Sequence, residues 1–262
     1  MRTLIDTIHT CDASFEQLAS KVDSPVLLER PGGSVFRYKN TSVEIAVIQK
    51  LARLITSLRA CLVLLQAGLF QEMFTIMRTM DEFTEDIAFL CIAIRSGKQT
   101  ELHAKYIDEF FQEEFDNPNN MLDSSQKRHR VPRKKIQAAI AAMTENQVNP
   151  SDSQASHETI TKMMSGYVHG ASEHILDMYG GDPPRYHLEG LRGTPRETAA
   201  HRYCWSYFYR SFLSVVEIAN AFGEYDLVKQ LYQFRDQFEK QWDRTEWPDA
   251  DASVRALRER GT

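Results

Sequence analysis

Apolar residues recur at intervals of three and four along most of this chain, the period of an α-helix with one face in a core. The pattern predicts a first helix from about Leu4 to Val22. After it, Pro25 to Tyr38 alternates around Pro31-Gly32-Gly33, which predicts a small β-hairpin. Thr41-Ser42-Val43-Glu44 reads as a capping box, its hydroxyl and carboxylate each satisfying a backbone donor at a helix start, and a long helix follows to about Gln66. Gly68 permits a tight break, and Met73, Met77, Met80, Thr84, Ile87, Cys91 and Ile94 then form one stripe up to Ser96-Gly97. Two long helices on either side of one glycine predict an antiparallel hairpin.

Residues 99–115 read as a shorter amphipathic helix, and Asp116-Asn117-Pro118 opens a polar stretch leading to a basic run, Lys127 to Lys135. A short helix to about Met143 follows, and residues 116–156 together read as a flexible basic insertion. From Met163 to Gly181, Met164, Val168, Ala171, Ile175 and Met178 share one helical stripe, while Gly166 and Gly170 leave the opposite side bare. This predicts a central helix packed on two sides. Thr194-Pro195-Arg196-Glu197 is a second capping box, opening a helix to about Phe222. Its cluster of Tyr203, Trp205, Tyr207, Phe208, Tyr209 and Phe212 has the spacing of a core or a dimer interface. A last helix is expected from Asp226 to Trp242, then a mobile tail over 243–262. The fold class is all-α: a multi-helix bundle with long antiparallel helices and a flexible basic insertion. It forms a single domain over 1–262, in which 1–40 carries the first helix and the small hairpin.

Composition narrows the classes of function. Only 12 glycines and 9 prolines in 262 residues agree with long helices. A net charge of −5 provides no general attraction to nucleic acid or acidic membranes, so such contact would need a local patch. The longest apolar stretch, Ala46 to Leu65, is interrupted by Lys50, Arg53 and Arg59 and reads as a core helix, not a membrane span. Cys11, Cys61, Cys91 and Cys204 are far apart, form no CxxC pair, and read as buried thiols in a reducing cytoplasm. No secretory signal is visible at the start.

The polar residues of the stretch after Met163 are the first candidates for chemistry, because polar groups carried into an apolar setting need partners. His169 is foremost, since imidazole titrates near neutral pH, with Tyr167 beside it. Arg78, Glu82, Glu85 and Asp86 line one face of the helix after Gly68, with Arg78 and Glu82 one turn apart. They form either a solvated charged face or a semi-buried pair orienting Tyr167 or His169. No histidine has Glu three residues before it, as a carboxylate-bridged di-metal bundle would require, so no metal or cofactor is expected. Arg196 and His201 match the Arg-x4-6-His pattern of HEPN ribonucleases at the start of a late helix, although Arg2 and His9 satisfy the same spacing. In the basic run, Lys127, Arg128, Arg130, Arg133, Lys134 and Lys135 offer contacts to RNA phosphates, or else form a solvated linker.

Arg78-Thr79-x-x-Glu82, followed by Ser165-Gly166-Tyr167-Val168-His169-Gly170, resembles a group of uncharacterised bacterial all-helical proteins with an R-T-x-x-E and an S-x-Y-V-H-G helix. The resemblance covers roughly residues 45–180. That group is similar in layout to HEPN-type bundles of toxin-antitoxin and phage-defence systems, which implies a homodimer acting on RNA without metal. Under this reading His169 or His201 is the acid-base residue, and Arg78 or Arg196 stabilises the phosphate. The alternative is a non-catalytic protein-protein interaction module in which Arg78, Glu82, Tyr167 and His169 form a structural network.

Overall fold

The computed structural model describes residues 1–30, 33–113, 115, 117, 121–124, 130–143 and 164–241. Its helices are α1 (Arg2–Ala19), α2 (Val43–Ala67), α3 (Phe70–Ser96), α4 (Glu101–Phe111), α5 (Arg133–Met143), α6 (164–168), α7 (Ser172–Leu176), α8 (Arg196–Ala221) and α9 (Tyr225–Gln241). Two small antiparallel hairpins complete it, β1–β2 (Val26–Arg30, Gly33–Arg37) and β3–β4 (Tyr179–Gly180, Arg185–Tyr186). No helix among the described residues is long and apolar enough to cross a membrane.

The expected α2/α3 hairpin is the centre of the fold. Ser42, one residue later than the expected Thr41, caps α2 by accepting the Ile45 N–H at 3.2 Å. Gly68 ends the helix in the left-handed region at φ 79°. The predicted α3 stripe is buried at Met73, Met77, Met80, Ile87 and Cys91, against Leu51, Leu54, Leu58 and Cys61 of α2 in the same core. Helix α8 adds Phe208 and Phe212, and α1 adds Leu4, Ile8 and Cys11. Side-chain pairs Phe74–Tyr203, Asp81–Tyr207 and Arg95–Glu217 advance together along both helices, so α8 runs parallel to α3. The aromatic run of α8 is core within this chain. Trp205 and Tyr209 stack at 5.4 Å and close on Phe238 of α9, while Tyr203 stays at the surface.

Three expectations are corrected. Residues 164–181 are not one central helix. Gly170 takes φ +59°, ending α6, and α7 restarts from an extended Ala171 before the chain turns into β3. Of the stripe only Met164 is buried; Val168 and Ile175 are 45% and 42% exposed. The space left by the missing side chain of Gly166 is filled not by a long packed helix but by the His174 ring of the short α7, 2.2 Å from where a Cβ would stand. Glycine therefore interrupted a periodic pattern that would otherwise have propagated.

The second correction concerns the start of α8. Thr194 donates its hydroxyl to Leu191 O at 2.6 Å, while Glu197 accepts the Gly193 N–H at 2.7 Å, so the carboxylate works without its expected partner. The third concerns the basic insertion. The expected short helix is present over 133–143, but it is seated on α3 through buried Ile136; much of the remainder, including Lys127 and Arg128, lies outside the described residues, as does the expected tail.

The α2–α3 turn is also a docking point. Leu191 N–H donates to Gly68 O at 2.8 Å, and a Cβ on Gly68 would stand 2.9 Å from Arg192 N. Gly68→Ala is therefore expected to cost about 2 kcal/mol or more, combining left-handed strain with overlap. Urea unfolding of the variant checks this.

Candidate functional site

The densest set of charged side chains sits on α3. Asp81, Glu85 and Asp86 are buried, at 5%, 9% and 2% exposure, because the helix that carries them is covered on three sides. A buried carboxylate is tolerated only where a cation or several donors meet it. Each finds its partner on a different element. Lys50 of α2 reaches Asp86 Oδ2 at 2.7 Å, its ammonium lying over the rings of Phe83, Tyr106 and Phe110 at 5.4, 5.8 and 5.0 Å. Arg133 of α5 spans both acids, pairing with Asp86 Oδ1 and, at 2.7 Å, with Glu85 Oε2, and donates to the Glu82 carbonyl at 2.9 Å. Gln137 donates to Glu85 Oε1 at 3.0 Å. On the opposite side Asp81 accepts the Tyr207 hydroxyl at 2.8 Å and meets Arg210 of α8 at 3.0 Å. Burial raises the Asp81 pKa, against the pull of Arg210 and the Tyr207 hydrogen bond.

The six candidate residues are not assembled into one constellation. Arg78 pairs with Glu82 at 2.9 Å along α3, with Glu82 41% exposed, as a surface pair one turn apart. Neither makes a hydrogen bond, ion pair or ring contact with Tyr167 or His169 among the described residues. Tyr167 instead packs on Phe74, one turn earlier on α3, at 4.7 Å, and meets the His174 ring edge-on at 4.3 Å. Its hydroxyl faces Asp177 Oδ2 at 3.4 Å, and Arg196 pairs with the other oxygen of that carboxylate. Burial and the neighbouring Asp177 push the Tyr167 phenol up to about 12. His201 faces Glu197 at 3.9 Å, so Arg196 and His201 point toward different acids. His169 is exposed, and its ring has no hydrogen-bond or ion-pair partner among the described residues.

Of the two readings of the charged α3 face, the solvated one describes Arg78 and Glu82, whereas the semi-buried arginine-carboxylate contact is made by Arg133 with Glu85 and Asp86 and does not orient Tyr167 or His169. Arg133 was read with the phosphate-contacting run; it is the cation that neutralises Glu85 and Asp86. The available signal was Lys50, an isolated charge in an apolar stretch, which required a buried acid opposite it. Of the remaining run, Arg130, Lys134 and Lys135 are exposed. A cleft of about 650 Å³ opens beside Arg133, between α4 and α5. Its lining holds three cations (Lys50, Arg130, Arg133) and three carboxylates (Glu82, Asp86, Glu109), so it has no formal charge excess to draw an anion.

All four cysteines are buried. Burial pushes the Cys11 and Cys61 thiols up to about 12 and raises Cys91 and Cys204 as well, which disfavours thiolate. Among the described residues no group of three or more His, Cys, Asp or Glu is placed to hold a metal ion. No family model, curated protein or solved structure matches the chain.

Arg133→Ala is expected to lower stability by about 2–3 kcal/mol, because it removes the guanidinium that meets both Glu85 and Asp86. Arg78→Ala, at the surface pair, is expected to cost no more than about 1 kcal/mol. Denaturant unfolding of both variants checks this ordering.

Proposed function

We propose that this chain is a non-catalytic protein-protein interaction module whose charged residues are architecture. The observation that carries this reading is charge closure: Arg78 on Glu82, Arg133 on Glu85 and Asp86, Arg196 on Asp177, and His201 facing Glu197. General acid-base work needs an oriented group with a tuned pKa, and an anion site needs an uncommitted cation. His169 has no orienting partner among the described residues. The surface offered to a partner is apolar. Val168, Ile175, Leu176, Tyr179, Tyr186 and Leu188 are all 42–77% exposed between α6 and the segment after β4, and Leu27 and Phe36 are exposed on the first hairpin. Partner binding in a reducing cytoplasm suits the four buried thiols, and a homodimer is one form such an interaction takes.

A second reading, the HEPN-like RNA-acting defence or stress protein, is favoured by one observation. Arg196 and His201 both stand at the surface within the first two turns of α8, with side chains 56% and 39% exposed. Against it, residues 164–203 carry four arginines and five carboxylates, a poor field for a polyanion.

One experiment separates the two. Labelled total RNA is incubated with wild-type protein and with the His169→Ala/His201→Ala variant. The interaction reading predicts intact RNA with both, and a Tm for the variant within about 2 °C of wild type because both side chains lie at the surface. Cleavage by wild type that the folded variant lacks would overturn it in favour of the RNA reading.

A further inference from the structure

The start of α4 is closed by a histidine where a capping box ordinarily uses Glu or Gln. Thr100 Oγ1 accepts the His103 N–H at 3.4 Å, and His103 Nδ1 in return accepts the Thr100 N–H at 3.2 Å, with the Thr100 hydroxyl 2.7 Å away. The other ring nitrogen, Nε2, lies 3.0 Å from the Phe89 carbonyl of α3, to which it donates. Together these bonds require one protonation state: proton on Nε2, lone pair on Nδ1. The residue is 1% exposed and its ring stacks on Phe89 at 4.0 Å.

We propose that this imidazole box is an acid-sensitive latch, so that protonation of His103 loosens the first turn of α4 while the α2/α3 hairpin stays folded. A proton on Nδ1 displaces the Thr100 N–H and leaves that helix-terminal amide without its acceptor; the Thr100 hydroxyl, 2.7 Å away, must turn to accept the new proton, and the Nε2–H bond to Phe89 remains. Among the described residues no carboxylate pairs with the ring. From α3 the ring meets the Phe89 face and carbonyl; on α4 the nearby charges, Glu101 and Lys105, are exposed and 3.9 Å apart; from α2, Lys50 is engaged with Asp86. Stacking on Phe89 favours an imidazolium, but full burial works against it. Burial lowers the His103 pKa from its ordinary 6.5, with the Phe89 hydrogen bond acting in the opposite direction. A lowered folded-state pKa means the loosened turn takes up the proton first. The latch is therefore complete above about pH 6.5 and weakens as pH falls below it.

Loosening has a defined consequence. Helix α4 carries Tyr106, Glu109 and Phe110, which wall the cleft beside Arg133; Tyr106 and Phe110 also cover Lys50. Loosening of the first turn thus weakens the α4 wall of that cleft at its N-terminal end.

The test uses the full chain, with hydrogen exchange of α4 and α2 amides expressed as protection factors at pH 7.5 and 5.5, beside an NMR titration of His103. Wild-type α4 is expected to lose at least about fivefold more protection than α2. His103 is expected to titrate below 6.5. In His103→Gln, which keeps a capping box without a titrating group, the α4 change should fall below about twofold. The proposal is overturned if His103 titrates at or above its ordinary value or if α4 protection does not change with pH. It also fails if α4 and α2 lose protection together, or if the Gln variant behaves as wild type. Should that variant not fold, the wild-type titration and exchange decide alone.

Discussion

The structure depends on three buried acids of one helix. Asp81, Glu85 and Asp86 lie within two turns of α3, inside an otherwise apolar bundle, and a charge so placed costs several kcal/mol unless a cation meets it. The cations come from three elements: Lys50 from α2, Arg133 from α5 and Arg210 from α8. Apolar packing among α1, α2, α3 and α8 provides most of the stabilisation, as it does in any bundle. It is also tolerant of small slips. The ion pairs are not, because a helix displaced by one residue leaves a charge buried and alone. Their contribution is therefore to the register of α2, α5 and α8 on α3 more than to net stability.

The same closure shapes the functional reading. Cations already neutralised by the chain's own acids are poorly suited to hold a phosphate, and thiols pushed toward high pKa are poor nucleophiles. Many of the exposed large apolar side chains lie in the short irregular elements, α6 to β4 and the first hairpin. Apart from buried Met164, these elements pack at the periphery of the bundle.

Much of the bundle was legible because long helices repeat their signal. The methionine stripe of α3, the break at Gly68 and the aromatic face of α8 each combine several residues with one conclusion. The failures came where one residue outweighed a pattern. Gly170 and its positive φ split a helix that five apolar positions supported, and Ser42 displaced Thr41 as the cap by a single position. The site was less legible still. Its central pair joins Asp86 to Arg133 across 47 residues, and periodicity, a local property, holds no information on which distant cation meets which acid. His103 was overlooked for a related reason: in a sequence, His at the third helical position looks like any other residue, and only its geometry marks it as a cap.

The most direct measurement is a double-mutant cycle on Asp86 and Arg133, with Asp86→Ala, Arg133→Ala and the pair compared by urea unfolding. If the acids of α3 are structural charges held by their partners, the double variant should be more stable than the sum of the single losses predicts, by about 1–3 kcal/mol. Additivity within about 0.5 kcal/mol would contradict the account. It would mean that the two charges are buried side by side without depending on each other.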